Sequence, residues 1–387
     1  MKIALILNDD FSMWHFRGGL IKALVHKGMD VCVIVPPGSY VSKLEAMGAR
    51  CIPIAMNRFI TPVQDLKLLF QLYSVFRAER FDLVHNMTIK PNIFGTLAAK
   101  LAGIKRIVCL VSGIGYVFSE EFDSTKKRIV RKLATFLYKL ALSISDKTWF
   151  QNKDDLELFI EKGIIKAAKG LVIRSGGINL NEFSLTDVNS GILAQLRQEL
   201  QIKENPKCVV MVAARLIWSK GVREFVEASE LLKAAYPDWI FLMVCPQDPG
   251  SPDSVPQDYI DAHRADNLIV IDYFRDDIKN IIALADIMVL VSYYREGVPR
   301  TLLEGLSMSK PIIASNSVGC KEVVEDGKNG FLVPVKDAKQ LAEKLRYLMD
   351  DEDKRHLFGK YSRELAKKCF DETIVVNRIL TELYEIA

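Results

Sequence analysis

The chain has no C-x-x-C pair: its cysteines stand apart at Cys32, Cys51, Cys109, Cys208, Cys245, Cys320 and Cys369. Most lie in apolar runs, where cysteine acts as a small hydrophobe, so the pattern points away from a disulfide framework or a zinc site and towards a reducing compartment. No stretch approaches the ~18 uninterrupted apolar residues of a membrane span. "MKIALILNDD" has one lysine and a short apolar run closed by Asn8, Asp9 and Asp10, too short for a signal segment. A cytoplasmic protein is expected. There is no tandem repeat or low-complexity tract, and no basic patch with interleaved stacking aromatics, so nucleic acid is not an expected partner.

What is present is an ordinary globular composition, 49% hydrophobic and 26% charged over 387 residues, too long for one core. Net charge is +4, shared unevenly: residues 1–180 carry +11 and the remainder −7. Short β-branched runs alternate with longer amphipathic segments, the pattern of parallel sheets wrapped by helices. Strands are expected near 2–7, 31–35, 51–54, 82–85, 107–112, 147–151 and 170–173, with helices near 16–27, 63–79, 90–103, 125–142 and 153–162. A second series begins at "CVVMVAA" (208–214) and continues through "IFLMVC", "LIVID", "IMVLVS", "PIIAS" and "FLV". Between them "RSGGINLNEFSLTDVNSG" has no sustained period and reads as a linker. The fold class is therefore α/β: two doubly wound Rossmann-like domains, 1–180 and 181–371, facing across a cleft. The amphipathic segment 372–387 is expected to join the first domain. Neither domain's first strand-to-helix turn carries G-x-G-x-x-G, which disfavours a dinucleotide oxidoreductase.

The chemistry concentrates in "YYREGVPRTLLEGLS" (293–307). Pro299 suits the first position of a helix, and the first turn then holds Arg300 and no acid, which costs ~0.3–1 kcal/mol against the helix dipole unless an anion comes from outside. Gly297 permits close approach to the backbone, and the N–H groups beyond Pro299 form a phosphate cradle. Alternatively, Arg300 and Glu304 form a surface ion pair worth about 0.3 kcal/mol. "AARLIWSKG" (213–221) adds Arg215 past a strand end and Lys220-Gly221 at a helix start, two cations of the kind a diphosphate requires, although either alone is more often solvated surface. In "DLVHNMTIKPN", His85 is read as the carboxyl tip of a buried strand and Lys90 as the start of the next helix; a lone histidine is more often structural.

Arg215, Lys220 and Gly221, with Glu296, Gly297, Pro299 and Glu304, match paired motifs of the retaining GT-B glycosyltransferases of family four, which the chain resembles over nearly its whole length. The resemblance implies that Arg215 and Lys220 neutralise a nucleotide-sugar diphosphate, Glu304 holds the ribose hydroxyls, and Glu296 contacts the donor sugar. Gly297, Val298, Pro299, Arg300 and Thr301 complete the implied donor site. His85 becomes, by the same resemblance, a catalytic contact beside Glu296, and His15, Arg17 and Lys90 acceptor-side residues. "TIKPN" and "SGIGYVF" resemble a subgroup that transfers sugars onto lipid diphosphates or envelope glycans. "MWHFRGGLIKAL", "SGGINLNEF" and "ARLIWSKGVREF" resemble, within that subgroup, bacterial enzymes that add an N-acetylhexosamine to undecaprenyl-diphosphate-linked sugars, a likeness that does not identify the donor. The implied donor is a UDP-sugar, with no cofactor and no metal, in keeping with the lack of a D-x-D motif near the proposed cleft.

The sequence departs from the family at Gly18-Gly19, which fall in the first helix instead of the turn before it, and at "PQDPGSPDS", which replaces a Gly-rich loop; Arg275 is a weak candidate for the base pocket. The helix "STKKRIVRKLATFLYKLALS" (124–143) reads as a packed helix with a solvated basic face or as a segment resting on an anionic membrane, peripheral on the inner face of the cytoplasmic membrane. A non-hydrolysing sugar-nucleotide epimerase and a non-catalytic sugar-nucleotide-binding protein are the alternative functions.

Overall fold

A computed structural model describes residues 1–57, 61–114, 125–202 and 206–386, without side chains at 125–127, 129 and 130. "SGIGYVF" therefore lies largely outside the described residues, as do the side chains of Lys126, Lys127 and Ile129. The chain divides into two units, Met1–Gly177 with Glu372–Ala387, and Ile178–Asp371. The expected linker is split, Arg174–Gly177 in the first unit and the rest in the second, and the division falls three residues before the expected 180.

In the first unit seven strands lie parallel: β1 Lys2–Ile6, β2 Asp30–Val35, β3 Arg50–Pro53, β4 Leu83–Met87, β5 Arg106–Val111, β6 Lys147–Phe150 and β7 Gly170–Val172, in the order β3-β2-β1-β4-β5-β6-β7. The near-continuous apolar runs follow from burial on both faces. Ile3 and Leu5 pack with Met13, Leu20 and Leu24 of the helix Asp10–His26. Ala4 and Ile6 point the other way, onto Leu68, Leu72 and Phe76 of the helix Pro62–Glu79. The C-terminal segment joins the first face through Val375, Val376, Ile379, Leu380 and Leu383, at about 1.5–3 kcal/mol for each fully buried side chain. Gly18 and Gly19 lie inside the first helix, and Gly19 has a packing reason: a Cβ there would meet the Glu372 side chain at 2.0 Å.

The second unit is a six-stranded parallel sheet, β8 Lys207–Val212, β9 Trp239–Val244, β10 Leu268–Ile271, β11 Ile287–Leu290, β12 Ile312–Ser315 and β13 Gly330–Val333, in the order β10-β9-β8-β11-β12-β13. Strand order reverses between β1 and β4 in one sheet and between β8 and β11 in the other. At such reversals the loops leaving adjacent strands diverge to opposite sides, and doubly wound sheets hold their ligands there, at the strands' carboxyl ends.

Two local differences from the sequence expectation have identifiable causes. Strand β4 runs to Met87 instead of ending at His85, because both polar side chains find partners in the core: His85 Nδ1 lies 2.7 Å from the Tyr384 hydroxyl, and the Asn86 amide 3.1 Å from Thr96 Oγ1. The helix Ser190–Glu199 begins inside the stretch read as linker. Its signal is Asn189, whose side chain accepts from the Gly191 and Ile192 N–H groups as an N-cap.

Candidate active site

The reversal between β8 and β11 brings the two motif stretches together. Beyond Val212 the chain passes Arg215, makes a tight turn over Trp218–Lys220 and enters the helix Val222–Lys233 through Gly221. Gly221 has φ +84°, and a Cβ there would stand 2.5 Å from the Val291 carbonyl oxygen, so both backbone conformation and close approach demand glycine. Beyond Leu290 the second loop is tied to this turn. The Ser219 carbonyl accepts from the Tyr293 N–H (2.9 Å), the Tyr294 N–H (3.0 Å) and Ser292 Oγ (3.2 Å). Ser219 is itself held by buried Asp253, which accepts from its N–H at 3.1 Å and from its hydroxyl. From the β12 side, Ser317 Oγ donates to the Ser292 carbonyl at 2.7 Å, and Gly319, at φ +90°, lies so close that a Cβ would stand 1.9 Å from the Gly297 carbonyl oxygen.

On this frame the charged side chains converge. Lys220 Nζ lies 2.7 and 2.8 Å from the two carboxylate oxygens of Glu296, and Ser292 Oγ is 3.3 Å from the nearer one. Arg215 Nη1 stands 3.4 Å from Asp248 Oδ2. Both cations face one ring: the Arg215 guanidinium carbon is 5.0 Å and the Lys220 ammonium 5.6 Å from the centroid of Tyr294. Two positive groups held this close repel each other, and the carboxylates and the ring's negative face offset that repulsion. A diphosphate carries the same negative charge and accepts hydrogen bonds from both.

The helix Arg300–Ser307 has Pro299 as its N-cap, so it begins one residue later than expected, and its first turn contains no acid. Gly297, Val298 and Pro299 are buried and Thr301 half-buried. Arg300 Nε donates to Glu304 Oε1 at 2.9 Å. The i,i+4 pair is thus formed, but as a largely buried pair instead of a surface one, with Arg300 also over the Phe183 ring. Burial pushes the Glu304 carboxyl above its ordinary 4.5, Arg300 pulls it down, and Glu182 adds to the rise.

The remaining candidate residues lie in the first unit. His85 is mid-strand and fully buried, packed against Trp149 and Tyr384; burial and then Arg17 drive its pKa well below 6.5, so it stays neutral. The ring packs in the core, and its Nε2 is buried there without a hydrogen-bond partner. Arg17 is buried, its guanidinium 5.1 Å from the Trp149 ring and its Nη1 donating to the Phe16 carbonyl. Lys90 is buried in an ion pair with Asp65 at 2.5 Å. His15 alone is half-buried, in the first turns of its helix, 4.2 Å from the Phe11 ring and 5.3 Å from Tyr40.

Sequence reasoning missed Thr88. It follows β4 with φ +73°, an outlier for a β-branched residue, and donates to Asn8 Oδ1 at 2.9 Å across the β1/β4 reversal. Also missed were Tyr294, Asp253, Ser292 and Gly319. Gly319 alone carried a signal, as a glycine one loop beyond β12. Arg275 is engaged by Asp277 and Glu199.

Residues 2–152 match the family described as Glycosyl transferase 4-like, and residues 194–365 the family described as Glycosyl transferases group 1. The chain is 32% identical, over 100% of its length and 98% of the relative's, to the N,N'-diacetylbacillosaminyl-diphospho-undecaprenol alpha-1,3-N-acetylgalactosaminyltransferase of Campylobacter jejuni. It is 30% identical, over 84% of its length and 81% of the relative's, to the UDP-Gal:alpha-D-GlcNAc-diphosphoundecaprenol alpha-1,3-galactosyltransferase of Escherichia coli. Among solved structures, Anabaena HepE in complex with UDP and glucose superposes with a TM-score of 0.79 at 20% identity, covering 100% of both chains, a likeness of fold.

Proposed function

The chain belongs to the retaining GT-B glycosyltransferases of family four, and on that premise we propose that it moves an N-acetylhexosamine from a UDP-sugar to a lipid-diphosphate-linked sugar. The observation that carries the proposal is the convergence of Arg215 and Lys220 on Tyr294 at the β8/β11 reversal, beside a helix whose first turn holds no acid. The two relatives named above act on undecaprenyl-diphosphate-linked sugars, which supports the acceptor class, and one uses a UDP-sugar, which supports the donor class.

Arg215 and Lys220 bind the diphosphate. As the bond from the anomeric carbon to the β-phosphate oxygen breaks, negative charge grows on that oxygen, so cations already in place favour the transition state over the ground state. Glu304 accepts hydrogen bonds from the ribose diol, and Glu296 from the donor sugar's hydroxyls once Lys220 is shared with phosphate. The acceptor hydroxyl forms its bond on the face the diphosphate leaves, and its proton passes to the departing phosphate oxygen, which balances the step and retains configuration. The reading calls on no metal or cofactor. A lipid-linked acceptor places the enzyme peripherally at the inner face of the cytoplasmic membrane.

The test is a panel of UDP- and GDP-sugars screened by thermal shift, followed by transfer of labelled sugar onto an undecaprenyl-diphosphate-linked acceptor. UDP-N-acetylhexosamines should raise the melting temperature and label the lipid. A shift with GDP-sugars alone overturns the base, and release of UDP with a rearranged sugar and no need for acceptor returns the epimerase.

A further inference from the structure

Arg300 stands where helix stability disfavours it. Its charge lies in the first turn of the helix Arg300–Ser307, against the dipole, and an arginine four residues before a glutamate is the less favourable order for an i,i+4 pair. The pair forms all the same. Arg300 Nε donates to Glu304 Oε1 at 2.9 Å, the two side chains are 18 and 8% exposed, and the guanidinium carbon lies 5.8 Å from the centroid of the Phe183 ring. Phe183 is itself fixed to the far end of the same helix, its carbonyl accepting from Ser307 Oγ at 2.6 Å and from Arg363 Nη1 at 3.1 Å. Helical side chains lean towards the N-terminus, so Glu304 reaches back towards the end of the helix that carries the phosphate cradle.

We propose that Arg300 is a positioning residue, which holds the Glu304 carboxylate ready for the ribose hydroxyls and makes no contact with the diphosphate. The inference rests on the proposed role of Glu304. A carboxyl group this buried is more stable protonated, and a protonated oxygen offers the ribose a donor where an acceptor is needed. Burial raises the Glu304 carboxyl most, the charge and hydrogen bond of Arg300 lower it, and Glu182, from the segment before Phe183, raises it again. Arg363, on the helix Glu352–Leu365 that packs against this one, spends its guanidinium on the Leu180, Phe183 and Ser307 carbonyls. Among the described residues Arg300 is therefore the cation that acts on this carboxyl. The consequence is selection at the ribose. An ionised Glu304 rewards the 2′-hydroxyl and separates UDP from 2′-deoxy-UDP, and a protonated one does not.

The test is calorimetric titration of the full chain with UDP and with 2′-deoxy-UDP from about pH 6 to 9. At the alkaline end the parent should prefer UDP about tenfold. In Arg300→Met, and in Arg300→Gln, which keeps a donor without the charge, that preference should fall to about twofold at neutral pH and recover as the pH rises. Arg300→Lys keeps the charge and should stay within about threefold of the parent. Because the effect passes through Glu304, adding Arg300→Met to Glu304→Gln should cost less than about twofold more in UDP affinity. A preference that the neutral variants keep at neutral pH, or lose equally at every pH, overturns the inference. So does a further loss of UDP affinity in the double variant with uridine binding unchanged, which puts Arg300 on the diphosphate. A parent that transfers sugar but binds both nucleotides alike leaves the reaction standing and ends the role of Arg300; a parent that binds no UDP ends both.

Discussion

Replacing Lys220 by methionine keeps the length of the side chain and deletes its charge, and the structure separates the consequences. Without ligand, Glu296 loses both close bonds to the ammonium and keeps Ser292 Oγ at 3.3 Å. Leaving a buried polar group under-satisfied costs about 1–3 kcal/mol, and the lower end applies because the Glu296 side chain retains 21% exposure to water. A drop of a few degrees in melting temperature, with the fold intact, is the expected result. With ligand, the diphosphate loses one charge-assisted bond worth about 2–3 kcal/mol, or roughly 30- to 150-fold in UDP affinity at 1.4 kcal/mol per decade. Uridine has no phosphate and should bind parent and variant alike, so calorimetric titration with UDP and with uridine reads the phosphate contribution free of any general damage. Because charge grows on the leaving oxygen, kcat/KM for transfer should fall further than UDP affinity does. A folded variant that keeps the parent's UDP affinity would refute the reasoning.

For Glu304 the burial that raises its carboxyl above 4.5 favours the protonated form, which cannot accept a ribose hydrogen bond at that oxygen. UDP affinity measured against pH should weaken on acidification while still above pH 4.5, and Glu304→Gln should be about tenfold weaker and flat over that range. Gly319→Ala forces φ +90° on a side-chain-bearing residue at ~1–2 kcal/mol and pushes against the Gly297 carbonyl; kcat/KM should fall at least ~10-fold, whereas Gly327→Ala, at φ +74° with open space around it, should lower the melting temperature alone. His85, whose pKa is driven down by burial, loses its stabilising contribution as pH falls, because the unfolded chain takes up a proton near 6.5 and the folded one does not. Parent melting temperature should therefore decline below pH 6.5 more steeply than that of His85→Gln, with kcat per folded molecule retained in the variant; an equal decline, or a lost kcat, counts against the packing role. Lys310, lowered to about 8 by burial, acts with the same sign in a higher window: stability should rise with pH between about 8 and the ordinary 10.5, and Lys310→Met should remove that part of the slope in melting scans.

The strands were legible because burial on both faces writes them as unbroken apolar runs; every expected strand overlaps an observed one, and the ends differ by a residue or two. Arg215, Lys220, Glu296 and Glu304 were legible because each follows such a run, and a doubly wound sheet carries the ends of its strands to one side. His85 shows where that inference stops. Its polarity implied a strand end at the surface, yet the ring sits in the core with the hydroxyl of Tyr384, 299 residues away in sequence, beside it. No local pattern announces a partner that distant. Lys90 likewise has a partner that no local pattern announces, Asp65 of another helix.

Asp253 and Ser219 were invisible for a different cause. Their work is hydrogen bonding to backbone, which any Ser or Asp could do and which no spacing encodes. That work nonetheless decides the site. One carboxylate oxygen of Asp253 takes both donors of Ser219, and the Ser219 carbonyl then takes three donors from the loop that carries Tyr294 and Glu296. A change at Asp253 should therefore act on the cations it never touches. With Asp253→Leu, both Ser219 donors lose the one oxygen that accepts them and the turn is released from its anchor. UDP affinity should fall while uridine affinity holds, the same selective signature as Lys220→Met though smaller, and parallel losses in both would mean that the loop is set by something other than this chain of bonds.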